Sequence, residues 1–283
     1  MQYERGKKLG KIIVLDCDGC VVPSGQSYRA NASLFHVQIL ADILKTAQAN
    51  VILCSGRGME TLEEAARDFE SYGIVVMSII AEGGAFIKER KTGKIETVAK
   101  TEHIDFIRRL KNFFIDFADG NHYVVQDKKK AVLTLFRDEE IYSSDQFYTK
   151  FQDIIGYLIS SGLIKETDLD KLQIFKTLEG IDIYPASVGK DKALRRILAQ
   201  SGLDETIIGA GDGINDFKLF KLVKCEFSGI VLTSGNGVDE IKKIADYVGK
   251  GDNIKGLIDA FYQCFGYYGT INKNQQIEYA MQV

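Results

Sequence analysis

The stretch Lys11-Ile12-Ile13-Val14-Leu15-Asp16-Cys17-Asp18-Gly19 decides the fold class of this 283-residue chain. The run from Lys11 to Asp16 is short, apolar and rich in β-branched residues, which predicts a strand buried on both faces of a parallel sheet. Two carboxylates at its end would be costly to bury without a cation or hydrogen-bonding partners. Gly19 lets the chain turn at once, so that the second carboxylate can reach over the first. The pattern indicates a metal or nucleophile site, with a solvated acidic turn as the alternative.

Helices and strands alternate on both sides of this stretch. Apolar spacing after it predicts a helix over 33–49, a strand over 51–54, a helix over 59–72 and a strand over 74–80. The last third predicts helices over 190–201, 216–222, 238–244 and 254–265, with strands over 206–208 and 225–231. This alternation is typical of a parallel α/β sheet with right-handed crossovers, a Rossmann-like core.

The middle of the chain has a different pattern. It predicts helices over 101–117 and 144–160, a hairpin from strands 123–126 and 131–135, and two further strands over 173–176 and 181–184. Helices and antiparallel hairpins in succession indicate an inserted α+β domain. We therefore predict a discontinuous α/β core over 1–83 and 186–283, and an inserted cap over 84–185.

Composition and charge limit the classes of function that this chain can have. The chain is 45% hydrophobic, with a net charge of −3, which gives no indication of a nucleic-acid or membrane partner. No apolar run approaches the roughly 18 to 20 residues that span a bilayer. The N-terminal residues 1–11 are polar and lack the apolar stretch of a secretory signal, so we expect a cytoplasmic protein. No feature of the sequence indicates an oligomeric state.

The five cysteines are an odd number, which predicts free thiols in a reducing compartment. Cys17 and Cys20 form a C-x-x-C pair, but no second pair accompanies it. None of the three histidines lies beside it at ligand spacing, so zinc or redox chemistry is a minor alternative.

Three more segments follow predicted strands, where open α/β sheets bind ligands. Ser55-Gly56-Arg57 supplies a hydroxyl and a backbone N–H for an anion, although an N-cap serine is the simpler interpretation. Lys190 could offset the charge of a carboxylate and a phosphate, or be a solvated lysine. The segment Gly209–Asp216 offers carboxylate and amide oxygens for Mg²⁺. It is not a dinucleotide fingerprint, because Ile214 stands where the third glycine belongs.

In this order the four segments resemble the motifs of the haloacid dehalogenase-like phosphatase superfamily. The insertion between the second and third segments resembles the type-IIB cap of the Cof-like sugar phosphatases, and sucrose-phosphate and mannosylphosphoglycerate phosphatases are similar in arrangement. Ser234-Gly235-Asn236 resembles the family's G-N segment. Two departures are present: Cys20 where the family usually has threonine, and Gly83 where its E-N-G-A segment has asparagine.

The resemblance implies a Mg²⁺-dependent phosphatase that hydrolyses a small phosphorylated metabolite, a sugar phosphate above all. It implies that Asp16 is the nucleophile, that Asp18 is the general acid and then the general base, and that Mg²⁺ is the cofactor. The implied phosphate-binding residues are Ser55, Gly56, Arg57, Lys190 and Asn215, and the implied metal site comprises Asp16, Asp18 through its carbonyl, Asp212 and Asp216. Arg57 could equally form a surface salt bridge. Two alternatives stay open: a phosphomutase or phosphotransferase with the same nucleophile, and a non-catalytic regulatory protein.

Overall fold

The computed structural model describes residues 10–23, 26–118, 121–126, 128–177, 179–201 and 205–266. Its strands are β1 Lys11–Leu15, β2 Ala49–Cys54, β3 Val76–Ala81, β4 Phe86–Glu89, β5 Ile95–Thr97, β6 Tyr123–Val125, β7 Leu133–Arg137, β8 Leu172–Lys176, β9 Gly180–Pro185, β10 Thr206–Ala210, β11 Ile230–Thr233 and β12 Tyr247–Val248. Its α-helices are α1 Tyr28–Asn31, α2 Leu34–Thr46, α3 Met59–Ser71, α4 Thr101–Asp116, α5 Ser144–Ser160, α6 Lys190–Ser201, α7 Phe217–Phe227, α8 Asp239–Lys242 and α9 Asn253–Phe265.

The larger sheet has eight strands in the order β12-β11-β10-β1-β2-β3-β4-β5. The six strands from β12 to β3 are parallel, and β4 and β5 add to the edge in antiparallel orientation. This mixed α/β sheet, mainly parallel, confirms the predicted fold class. The neighbours β10 and β2 flank β1, so the residue that follows β1 lies in the middle of the carboxyl edge of the sheet.

Helices cover both faces of the larger sheet, which explains why β1 is apolar throughout. Ile13 and Leu15 pack with α2, α3 and α9, whereas Ile12 and Val14 pack with α6 and α7 on the opposite face. All four side chains are fully buried. Successive residues of a strand point to opposite faces. A strand covered on both sides is therefore apolar at every position.

The smaller sheet has four antiparallel strands in the order β6-β7-β9-β8. The helices α4 and α5 cover one face, where the stacked rings of Phe114 and Phe151 lie 5.6 Å apart. The predicted β6–β7 hairpin is confirmed. Among the described residues, no helix combines the length and the apolar character that a membrane crossing requires.

Two sequence-based expectations differ from the structure. The predicted boundary between residues 83 and 84 separates β3 from β4, yet these two strands pair directly, and β5 pairs with β4. A short hairpin has the same local pattern whichever sheet it joins, so the sequence could not place this one. The strand expected over 225–231 is present but begins later: residues 225–227 complete α7, which is capped by Ser228 with φ +49°, and β11 begins at Ile230. Phe220, Val223 and Phe227 pack in the core at helical spacing.

Candidate active site

Asp16 follows β1, and its backbone N–H donates to the carbonyl of Ala210 at 2.8 Å. This bond extends the parallel pairing of β1 and β10 by one step. It places the end of β1 beside the segment that follows β10, which contains Asp212 and Asp216. The parallel register therefore brings the first and fourth predicted segments together.

Asp16, Lys190 and Asp216 form a buried charged cluster. Lys190 Nζ lies 2.9 Å from Asp16 Oδ2 and 2.6 Å from Asp216 Oδ1, and each of the three side chains is at most 5% exposed. Burial and the charge of Asp216 raise the pKa of Asp16 to about 7, against the opposing effect of Lys190. Burial alone would lower the pKa of Lys190, but the two carboxylates outweigh it and raise that pKa well above its usual value.

Asp212 adds a third carboxylate to this cluster. Asp16, Asp212 and Asp216 each offer an oxygen, and these oxygens lie within 4.8 Å of one another. Burial and the charges of Asp16 and Asp216 raise the pKa of Asp212 to about 8. Three carboxylates share this buried corner with Lys190, and oxygen donors are the ligands that Mg²⁺ prefers. The donor set therefore fits Mg²⁺.

Gly19 and Asn236 shape the same corner. Gly19 has φ +68°, and an added Cβ there would lie 1.9 Å from Asp212 Oδ2, so only glycine fits. Asn236 Nδ2 donates to the carbonyl of Gly19 at 3.0 Å and to Asp212 Oδ2 at 3.2 Å. The sequence around Asn236 resembles a family segment but indicates no role for it in the site. Its contacts show that it orients Asp212.

Asp18 contacts the second predicted segment. Arg57 Nε donates to Asp18 Oδ2 at 3.0 Å, its Nη2 contacts Oδ1, and Ser55 Oγ lies 3.4 Å from Oδ2. Arg57 Nη2 also donates to the carbonyl of Gln26 at 2.6 Å. Ser55 is fully buried at the end of β2, and its Oγ accepts the N–H of Arg57 at 3.3 Å. Arg57 thus ties the second carboxylate to the Ser55–Arg57 segment, with its own side chain only 13% exposed.

Tyr184 reaches the site from the smaller sheet, and the sequence does not mark it as a site residue. An added Cβ at Gly56 would lie 2.6 Å from its hydroxyl, and one at Gly83 would lie 2.4 Å from its ring. The Tyr184 ring therefore occupies the space in which the family's asparagine side chain would begin. A cavity between the two sheets is lined by Gly83, Gln173, Phe175, Tyr184, Lys190 and Asn215, among others. No local motif marks Tyr184, because only the packing of the two sheets brings it here.

Cys17 and Cys20 are free thiols, and both are buried. Cys20 Sγ lies 3.7 Å from Asp212 Oδ1, in the place where the resemblance predicts threonine. Burial and nearby carboxylates raise the pKa of both thiols above the usual value, which favours the protonated form. Both side chains therefore serve as packing beside the charged cluster.

The sequence pattern of the haloacid dehalogenase-like hydrolase family matches residues 13–261, and the chain belongs to this family. The trehalose-phosphatase of Schizosaccharomyces pombe is 21% identical over 243 residues, which are 84% of this chain and 26% of that protein. The chain thus spans about a quarter of the length of this curated relative.

Solved structures share the fold. The C-terminal domain of C. albicans trehalose-6-phosphate phosphatase has a TM-score of 0.68 at 15% identity, covering 91% of this chain and 92% of that one. A haloacid dehalogenase-like hydrolase from Bacteroides thetaiotaomicron has a TM-score of 0.62 at 18% identity, and the match covers 90% of this chain and 100% of that one. At these identities the likeness concerns the fold alone.

Proposed function

We propose that this chain is a Mg²⁺-dependent phosphatase that hydrolyses a small phosphorylated metabolite, a sugar phosphate, through an aspartyl-phosphate intermediate. The observation that carries the proposal is the buried cluster at the end of β1, in which Lys190 is bound to both Asp16 and Asp216 with Asp212 alongside. A dianionic phosphate cannot approach a carboxylate nucleophile unless positive charge offsets the repulsion. Lys190 supplies part of that charge.

In this mechanism Asp16 attacks phosphorus. One carboxylate oxygen accepts the N–H of Cys17 at 2.7 Å and the other is bound to Lys190, so the side chain has a fixed orientation. The new bond joins a carboxylate oxygen to phosphorus while the ester P–O bond breaks. Asp18, protonated after release of its ion pair with Arg57, gives its proton to the departing alcohol. Asp18 then takes a proton from the water that attacks the aspartyl phosphate, which releases inorganic phosphate and restores Asp16.

The remaining groups bind and orient the phosphoryl group. Ser55 Oγ, the N–H of Gly56, Lys190 and Asn215 would hold its oxygens. Asp16, Asp212, Asp216 and the carbonyl of Asp18 would hold Mg²⁺, which supplies charge neutralisation for the phosphoryl group when bound. Arg57, the last residue of the Ser55–Arg57 segment, binds Asp18 through its side chain.

Two observations support a sugar phosphate as substrate. The relatives include a protein named trehalose-phosphatase and a structure of a trehalose-6-phosphate phosphatase domain. The face of the smaller sheet toward the site also has groups that can bind hydroxyls: the Tyr184 hydroxyl lies 3.4 Å from Asp182 Oδ2, and Thr134 Oγ1 contacts Asp182 Oδ1. We propose that this inserted unit is a cap that covers the substrate. We propose a cytoplasmic enzyme with a small-molecule partner.

Phosphate release from a panel of phosphorylated metabolites tests the proposal, with Mg²⁺ or with EDTA. Release should require Mg²⁺ and should fall by at least about three orders of magnitude in Asp16→Asn, because an amide is not a useful nucleophile. Retained turnover in this variant would contradict the proposed mechanism. If folded, Mg²⁺-loaded protein releases phosphate from no compound of the panel, the phosphotransferase and regulatory alternatives are favoured. A burst of phosphoenzyme followed by turnover that depends on an acceptor alcohol would identify a phosphotransferase.

A further inference from the structure

Glu82 connects the larger sheet to the smaller one. It follows β3 directly, and its side chain reaches residues 48 and 49 positions further along the chain. Both carboxylate oxygens accept the backbone N–H of Lys130 at 3.0 Å, and Oε2 also accepts that of Ala131 at 2.7 Å. These two residues belong to the connection that leads from β6 into β7.

The burial of Glu82 needs an explanation. The residue is 2% exposed, and among the residues that the structure describes its carboxylate is held by backbone N–H groups rather than by a cation. Its backbone has φ +50°, a left-handed conformation that costs energy in a residue other than glycine. A buried charge and a strained backbone at one residue are typical of functional positions.

The backbone around Glu82 contacts the proposed phosphate cradle, the segment Ser55–Arg57. The N–H of Glu82 donates to the carbonyl of Arg57 at 2.9 Å, and the N–H of Gly83 donates to the carbonyl of Ser55 at 3.0 Å. The same short turn is therefore bonded to the cradle through its main chain and to the cap connection through its side chain. The turn of Glu82 and Gly83 thus makes direct hydrogen bonds to both segments.

We propose that Glu82 is a positioning residue that couples phosphate binding in the Ser55–Arg57 cradle to docking of the 128–131 segment of the cap. An anion in the cradle fixes the carbonyls to which the Glu82 turn is bonded, and the fixed carboxylate then holds the N–H groups of Lys130 and Ala131. Docking of this segment closes the cap over the phosphate. The inference rests on the phosphate site proposed above, but its test needs binding and not turnover.

Amide hydrogen exchange with inorganic phosphate as the probe tests this coupling in the full chain with Mg²⁺. In the wild type, saturating phosphate should slow exchange at Lys130 and Ala131 by about fivefold or more, the lower end of typical coupling between sites. Glu82→Gln leaves one acceptor oxygen and no charge, so exchange there should be faster without phosphate, and phosphate should no longer slow it. By reciprocity, phosphate affinity should fall by a similar factor of about fivefold.

Glu166→Gln is the matched control, because it makes the same chemical change at an exposed cap residue and should match the wild type. If Glu82→Gln does not fold, Glu82→Asp keeps the charge with a shorter reach, and the same loss of coupling is expected. Equal phosphate-induced protection in the wild type and the Glu82 variant would overturn the proposal, as would unchanged exchange in the variant without phosphate. Protection without any phosphatase turnover would support the coupling while rejecting the proposed reaction.

Discussion

Lys190 Nζ lies 2.9 Å from Asp16 Oδ2, and this pair joins two residues 174 positions apart in the chain: Asp16 follows β1, and Lys190 begins α6. Both side chains are almost completely withdrawn from solvent. Lys190 also binds Asp216, so one ammonium group neutralises parts of two buried carboxylates. The stability of this region and its chemistry therefore depend on the same side chain.

Replacing Lys190 with methionine should destabilise the protein and abolish turnover. The loss leaves two buried carboxylates without their cation, a change that typically costs about 3–5 kcal/mol. Urea unfolding without Mg²⁺ measures the cost. The double variant Lys190→Met, Asp216→Asn should recover part of the stability but none of the activity. A single variant as stable as the wild type would show that the cluster is not charged as described.

Asp212→Asn should lower the affinity for Mg²⁺ and leave the fold intact. The amide removes one negative ligand oxygen from a crowded set, so we expect the half-saturating Mg²⁺ concentration to rise by about tenfold or more. A metal titration of phosphate release measures this. Asp239→Asn, at an exposed position of α8, is the control and should titrate as the wild type does. An unchanged titration in Asp212→Asn would exclude Asp212 from the metal site.

Gly83→Asn should be destabilising because of Tyr184. Asparagine tolerates the φ of +65° at this position, but an added Cβ would lie 2.4 Å from the Tyr184 ring. Overpacking of this kind costs about 1–3 kcal/mol. Gly93→Asn is the control, since Gly93 has φ +71° and nothing within 4 Å of an added Cβ.

The same clash predicts a coupling between the two positions. Tyr184→Ala removes the ring, so Gly83→Asn should cost less in that background, by about 1 kcal/mol or more in a double-mutant cycle. Additive free energies of unfolding would show that the backbone, and not the ring, rejects asparagine. Chemical denaturation of the four proteins supplies the cycle.

Glu63→Gln should lower stability in a pH-dependent way. Arg90 Nη1 lies 2.6 Å from Glu63 Oε2 and Lys88 contacts Oε1, which ties α3 to β4. Partial burial would raise the pKa of Glu63, but these two partners outweigh it and lower the pKa below its ordinary value. The stabilisation is therefore present above the unfolded-state pKa of about 4.3 and is lost as pH falls through the folded-state value.

Denaturation at about pH 7 should show a cost of about 1 kcal/mol for Glu63→Gln, shrinking as the pH is lowered below about 4.3. Glu60→Gln makes the same chemical change at an exposed residue of the same helix and is the matched control. A cost that stays constant with pH would indicate lost packing instead of lost charge.

Much of the fold follows from local pattern. The apolar run of β1, the hairpin of β6 and β7 and the alternation of helices with parallel strands were predicted because strand burial and helical spacing are local in the sequence. The predictions were wrong where one pattern serves two structures. Residues 225–227 extend a helix instead of starting a strand. The strands β4 and β5, which join the larger sheet, were not predicted.

The sequence by itself determined the residue types of the site and the strands that carry them, because carboxylates, glycines and a lysine after buried strands form short, local motifs. Tertiary structure alone decided which of these groups meet: Lys190 between Asp16 and Asp216, Asn236 against Asp212, Tyr184 over Gly83, and Glu82 against Lys130. These contacts join residues far apart in the chain. They depend on strand order and on the packing of two sheets, which no local pattern encodes.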